Sequence, residues 1–201
     1  MTAQSINING IDILAQRISY VGELGWELYI PAGDAVFVWD RLWQAGKKHS
    51  VKAFGYKAVD ALRLEKGYLA LAGDITAADN PYEARLGFCV KWNAGDFIGR
   101  QALIRNKAEN SLQRLYTLVI GDEEYLTLYG GEAVLSDGKV ISRLRSAGYG
   151  HTIKKNIGFV YLPVDMADGK PRLEVEIFGE TVTAEVAADI LYDPEGNALR
   201  K

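Results

Sequence analysis

Glu27 and Tyr29 stand two residues apart in the segment Ser19-Tyr-Val-Gly-Glu-Leu-Gly-Trp-Glu-Leu-Tyr-Ile-Pro31, and two is the repeat of a β-strand. Successive strand side chains point to opposite faces. One face of this strand therefore carries a carboxylate and a phenol, while Trp26, Leu28 and Ile30 form the other. The apolar face is expected to be core. The polar face is either a solvated sheet surface or a place where a carboxylate accepts charge-assisted hydrogen bonds and orients a ligand. Glu23, four residues earlier in the Gly-Glu turn, competes with Glu27 for that role. Tyr20 and Tyr29 can line a pocket through ring packing and a hydroxyl, and each can equally be a half-buried strand tyrosine.

The surrounding pattern supplies the elements. Residues 11–20 and 26–30 read as the two strands of a hairpin. Asp34 is placed to cap a helix carrying Ala35, Val36, Trp39, Leu42 and Trp43 at helical spacing, with the tryptophans in the core and Gly46 at its end. A second helix spans about 56–66 and stops at Gly67. Residues 86–92 read as a strand, and Asp74 as a loop carboxylate that accepts backbone N–H bonds. A short helix covers 98–106. Residues 106–113 lose their apolar content and suit a linker.

Beyond the linker the pattern is all β. Short strands are expected at 115–120, 132–135, 140–145, 158–162, 172–178 and 181–186. Asp137-Gly138 suits a tight hairpin turn, and Gly179-Glu180 a type II′ turn. Evenly spaced strands with such turns suggest a small closed barrel. The fold class is thus α+β: a mixed helix and strand unit over 11–106, then an antiparallel β-barrel over 113–193. Met1 to Gly10 read as a mobile lead-in.

Composition excludes several functions. With 201 residues, 48% of them hydrophobic, the chain can bury one large core or two small ones. A net charge of −3 argues against a broad nucleic-acid surface. No stretch approaches the roughly 20 apolar residues of a membrane span, and the N-terminus lacks the features of a signal peptide. A soluble cytoplasmic protein is the expectation. Cys89 lies in an apolar run and reads as a buried thiol. His49 and His151 have no metal-ligand spacing with it or with each other, and the glycines form no nucleotide cradle. Arg143, Arg145, Lys154 and Lys155 form a basic cluster that suits an anionic tail or, more simply, a solvated strand face.

Several segments together resemble the aminomethyltransferase family, the folate-binding T-protein of the glycine cleavage system and its relatives. They are the 19–31 run, Leu62-Arg-Leu-Glu-Lys-Gly-Tyr68, Asn80-Pro-Tyr-Glu-Ala84, Leu86-Gly-Phe88, Asp96-Phe-Ile-Gly-Arg-Gln-Ala-Leu103 and Leu191-Tyr-Asp-Pro194. The wording is most similar to the folate domain of dimethylglycine and sarcosine dehydrogenases and oxidases. The resemblance implies a cavity for tetrahydrofolate covered by a C-terminal barrel, with a one-carbon unit passing from an amine or iminium donor to N5 and N10. It places the pterin-binding glutamate at Glu27 and a C-terminal folate contact near Tyr192, with Tyr20 and Tyr29 as further lining.

The chain departs from that pattern at three points. Val59 stands where the glycine-cleavage branch has an arginine, and Arg85 where a glycine commonly follows the Pro-x-Glu-Ala segment. The likeness also begins at about Arg17, in the middle of the family's pattern, so no catalytic residue is assigned. The chain reads as a C-terminal fragment, such as a split gene or a remnant, that needs an N-terminal half or a flavin oxidoreductase partner, and that covers its cut edge by self-association. The alternative is a non-catalytic folate-fold remnant that binds a ligand or a protein.

Overall fold

A computed structural model describes residues 2–108, 113–168 and 172–200. Internal contacts divide the chain into two compact units, Met1–Arg63 with Asp193–Lys201, and Leu64–Tyr192. Residues 64–106, which the residue pattern joins to the first half, thus belong to the second unit. Of the expected linker, residues 109–112 lie outside the described residues.

The first unit opens on an antiparallel sheet in the order β1 (Ala3–Ile8), β2 (Ile11–Gln16), β3 (Glu27–Tyr29). The expected lead-in is therefore a strand. Its signal is Ile6-Asn-Ile-Asn-Gly-Ile-Asp-Ile13, where isoleucines alternate on both sides of an Asn-Gly pair. Asn9 and Gly10 adopt φ of 52° and 92°, which gives the twist that a two-residue hairpin needs. Asn7 closes the turn: its Oδ1 accepts the Gly10 N–H at 2.9 Å, and its Nδ2 donates to Asp12 at 2.6 Å. Along β2 only Ile13 and Ala15 are buried, and Leu14 between them is exposed.

Helix α1 (Ala35–Gly46) buries Val38 alone. Trp39, expected in the core, is 57% exposed and stacks on Trp43 at 5.9 Å. The cause lies in Ala35-Val-Phe-Val-Trp39: five consecutive apolar residues wrap more than one face, and a helix packs on one. Asp34 sits at the N-cap without a side-chain cap bond, because a 3₁₀ turn (Ala32–Asp34) precedes the helix. Gly46 is the last residue of the α-helix, as expected. The chain tightens into a 3₁₀ turn (Lys47–His49) and reverses at Ser50, φ 57°. Helix α2 (Tyr56–Glu65) follows and stops as expected, with Gly67 at φ 72° donating its N–H to the Leu64 carbonyl.

In the second unit, residues 86–92 form no strand. Asn80 Oδ1 accepts the N–H groups of Tyr82 and Glu83, the Leu86 N–H bonds the Pro81 carbonyl, and a 3₁₀ turn (Gly87–Cys89) follows. That winding leaves Cys89 exposed, against the expectation of a buried thiol. Helix α3 (Arg100–Ala108) starts two residues later than expected.

The barrel strands are β4 (Gln113–Ile120), β5 (Ala133–Ser136), β6 (Lys139–Gly150), β7 (Lys155–Pro163), β8 (Leu173–Ile177) and β9 (Glu180–Ala187). They close in the order β4-β7-β6-β5-β8-β9, every pair antiparallel. Closure leaves no sheet edge. Leu118, Ile120, Val134, Val160 and Val175, all at 0% exposure, head its interior cluster. Each such side chain contributes roughly 1.5–3 kcal/mol on leaving water. Asp137-Gly138 turns as expected, with φ of 50° and 71°. The β8–β9 turn is not the type II′ turn at Gly179-Glu180. Ile177 pairs with Glu180, so Phe178 and Gly179 are the central residues, both at positive φ (53° and 87°). Alternation of inward Leu173, Val175 and Ile177 sets that register.

Candidate functional site

Register builds the candidate surface. Gln16 faces Glu27, Ala15 faces Leu28 and Leu14 faces Tyr29, so Leu28 shares a side with buried Ala15, while Glu27 and Tyr29 share the exposed side with Leu14. The Tyr29 hydroxyl donates to Glu27 Oε2 at 3.1 Å. That bond, and the negative charge behind it, hold the Tyr29 phenol above its ordinary value. The carboxylate is thereby fixed on one oxygen by a phenol and stands on an exposed strand face. A charged acceptor so placed can take donors from a planar, N–H-bearing ligand edge.

Trp26 is a correction. It is 56% exposed, because β3 begins only at Glu27 and the period of two does not reach it. Tyr20 and Glu23, both half-buried, lie on the loop between β2 and β3 and not on a strand, since β2 ends at Gln16. Gly25 allows that loop to fold on itself: a Cβ there would stand 3.0 Å from Ser19 Cβ. The structure therefore brings Glu27 and Tyr29 into contact and puts Tyr20 and Glu23 on the adjoining loop.

Tyr192 belongs to the second unit. Its N–H donates to the Glu65 carbonyl at 2.9 Å, and its ring lies 5.9 Å from Lys66 Nζ. Glu65, to which the residue pattern gives no role, is 1% exposed. Its Oε1 accepts the N–H groups of Thr152 and Ile153 at 2.7 and 3.3 Å, and a Cβ on Gly150 would collide with it. No local signal marks that role, because the N–H groups that Glu65 answers lie far along the chain, at Thr152 and Ile153. Asp74 is fully buried, and its Oδ2 accepts the Ala70 N–H at 2.7 Å, the loop role that its flanking residues suggested.

Arg85 also lacked an assigned role. Its side chain is 8% exposed and lies 3.1 Å from Asp189 Oδ1, and burial pushes its guanidinium below its ordinary value against the pull of Asp189. Arg114 pairs with the other oxygen of the same carboxylate. Within the basic cluster, Arg143 donates to the Gly131 carbonyl, and Arg145 covers the Tyr161 ring at 5.1 Å. These two flank buried Leu144 and serve the barrel's outer face. The His151 ring packs edge-on against Tyr149 at 5.1 Å.

Comparison with known proteins adds the following. Residues 1–94 match the family model of the GCVT N-terminal domain, and residues 113–193 that of the glycine cleavage T-protein C-terminal barrel domain. The first match includes β1, ahead of the point where the quoted motifs begin. Human mitochondrial dimethylglycine dehydrogenase is 36% identical over 100% of this chain, which spans 23% of that protein. An aminomethyltransferase of Geobacillus sp. (strain WCH70) is 34% identical over 93% of this chain, which spans 51% of it. The crystal structure of glycine cleavage system aminomethyltransferase T from Bartonella henselae has the same fold, with a TM-score of 0.79 at 23% identity. It covers 89% of this chain, which covers 50% of it.

Proposed function

This chain belongs to the glycine cleavage T-protein (aminomethyltransferase) family, and from that premise we propose that it is the tetrahydrofolate-binding part of a one-carbon transferase acting on methylated-glycine-type amines. The observation that carries the reading is the Glu27–Tyr29 pair, a phenol-held carboxylate on an exposed strand face. Its acceptor oxygens fit the group. The pterin ring presents a 2-amino group beside ring N–H, and a carboxylate matches that edge with two charge-assisted hydrogen bonds. Tetrahydrofolate, when bound, supplies the N5 and N10 nitrogens that receive the one-carbon unit.

In this reading Glu27 orients the ring, Tyr29 holds the Glu27 carboxylate in its rotamer, and Tyr20 adds a ring contact. No step is assigned to a catalytic residue of this chain. The chain spans about a quarter of the dehydrogenase and about half of the aminomethyltransferase. Turnover is therefore ascribed to this chain together with the part of those relatives that the match leaves out, on the same polypeptide or on a partner that includes an oxidoreductase.

The test is calorimetric titration with tetrahydrofolate, with and without the complementary half of the fold supplied. Glu27→Gln is expected to weaken binding by about 1.5–3 kcal/mol, since a neutral amide cannot accept both ring donors as a carboxylate does. Unchanged affinity would move the role to Glu23 or remove it.

A further inference from the structure

The second unit contains a cavity of about 300 Å³ between the segment after α2, the turn at residues 85–88 and the stretch that follows β9. Leu69, Leu86, Phe88 and Ile190 give it apolar walls, and Lys66, Arg85 and Asp189 supply charge. Glu27, which carries the folate reading, lies in the other unit.

Arg85 is the residue that calls for explanation. Its backbone stands at φ 61°, in the left-handed region that favours glycine. A long cationic side chain here is thus held in a strained conformation and buried as well. Nη1 donates to Thr117 Oγ1 at 2.9 Å and lies beside Asp189, and the guanidinium carbon sits 5.2 Å from the Phe159 ring. Nη2 is buried with no hydrogen-bond partner among the described residues. Arg85 and Arg114 share the Asp189 carboxylate, and the charge of Asp74 also reaches Arg85. The cavity lining brings together the guanidinium of Arg85, the carboxylate of Asp189 and the ammonium of Lys66, and one buried N–H edge of Arg85 goes unanswered.

We propose that this cavity is a binding site for an organic carboxylate with a flat apolar body, its carboxylate answering the Nη2 edge of Arg85. Carboxylate and guanidinium are both planar and pair edge to edge. The apolar walls suit the body of an aryl acid better than a fully hydrated inorganic anion, which would lose its water against surfaces that offer no donors. Phe88, 82% exposed, is available to cover a bound ring.

The experiment titrates the full chain with benzoate, benzamide and inorganic phosphate, by calorimetry and by thermal shift. Benzoate is expected to bind saturably and to raise the melting temperature. Benzamide, the same shape without the charge, should bind at least about tenfold more weakly, as should phosphate. Arg85→Gly places the residue favoured by the left-handed backbone, and should reduce benzoate affinity at least about tenfold while leaving benzamide unaffected. Glu27→Gln should leave benzoate binding unchanged, which separates this site from the folate reading. Absence of saturable benzoate binding to the unaltered chain, equal affinity for benzamide, or full benzoate affinity in Arg85→Gly would each overturn the proposal. The first two outcomes need no variant to fold, and mean that solvent satisfies Nη2.

Discussion

The two units distribute their apolar side chains in opposite ways. In the barrel, Leu118, Ile120, Val134, Val160 and Val175 are wholly inside. In the first unit, Val36, Trp39, Phe54 and Tyr56 are all more than half exposed, and Val38 is the one buried residue of α1. The barrel is a surface closed on itself, whereas a three-stranded sheet has two edges and two faces to cover. Self-sufficiency of a fold and openness of a surface are thus separate properties, and this chain shows one in each unit.

The largest test of that contrast is Leu118→Ala, in the barrel interior. It should lower stability by about 2–5 kcal/mol through lost burial and a residual cavity, read from the barrel transition in denaturant. Next is Glu65→Ala, which strips Thr152 and Ile153 of their acceptor and should cost about 1–3 kcal/mol. If it costs nothing, water replaces the carboxylate and Glu65 is no anchor.

Trp39→Ala should cost less than about 1 kcal/mol in the same measurement, since little is uncovered by removing an exposed ring. Its effect should appear in association instead. Exposed indoles and sheet edges favour self-association, so sedimentation at micromolar concentration should show oligomers for the parent chain and fewer for the variant. A monomeric parent would mean that the first unit tolerates its open surface.

The smallest effect is a matter of pH. Burial, with help from the charge of Asp79, raises the Tyr161 phenol to about 12. A folded value above the unfolded one of about 10 means that the native state holds this proton longer. Its contribution is complete below about pH 10 and is lost as pH rises toward 12. Tyr161→Phe should flatten the fall in barrel stability over that interval, and an unchanged profile would point to another group.

How far the residues foretold this arrangement depends on how local each signal was. The six barrel strands follow from short apolar or alternating runs between turn residues: Leu173–Ile177 alternates, which decides its face and register, whereas Lys155–Pro163 is buried along nearly its whole length. The Phe178-Gly179 corner was displaced by one residue, since turn type depends on which pair closes and Phe is an unusual occupant of positive φ. The β1 strand was legible in its Asn-Gly pair and was hidden by polar composition. Exposure of Trp39 and Trp26 was not legible, because periodicity gives a face but not what lies opposite. Of the site residues, Glu27 and Tyr29 were placed by strand period and by family likeness together. Arg85 and Glu65 depend on long-range partners, Asp189 and Thr152, that no local pattern connects.

Barrel closure has a consequence for time as well as for stability. The hairpins β5–β6 and β8–β9 join near neighbours, whereas the last seam pairs Thr117 with Ala187 and Ile120 with Ala184, the first strand with the final one. Loop entropy must be lost before that seam returns any contact, so topology of this kind folds slowly, on the order of milliseconds to seconds. In pulsed hydrogen exchange, the N–H groups of the two hairpins should gain protection ahead of those along the β4–β9 seam. Until that seam forms, two strand edges remain unpaired in a nearly finished barrel, and a newly made chain is then most open to a chaperone or to a neighbouring copy of itself.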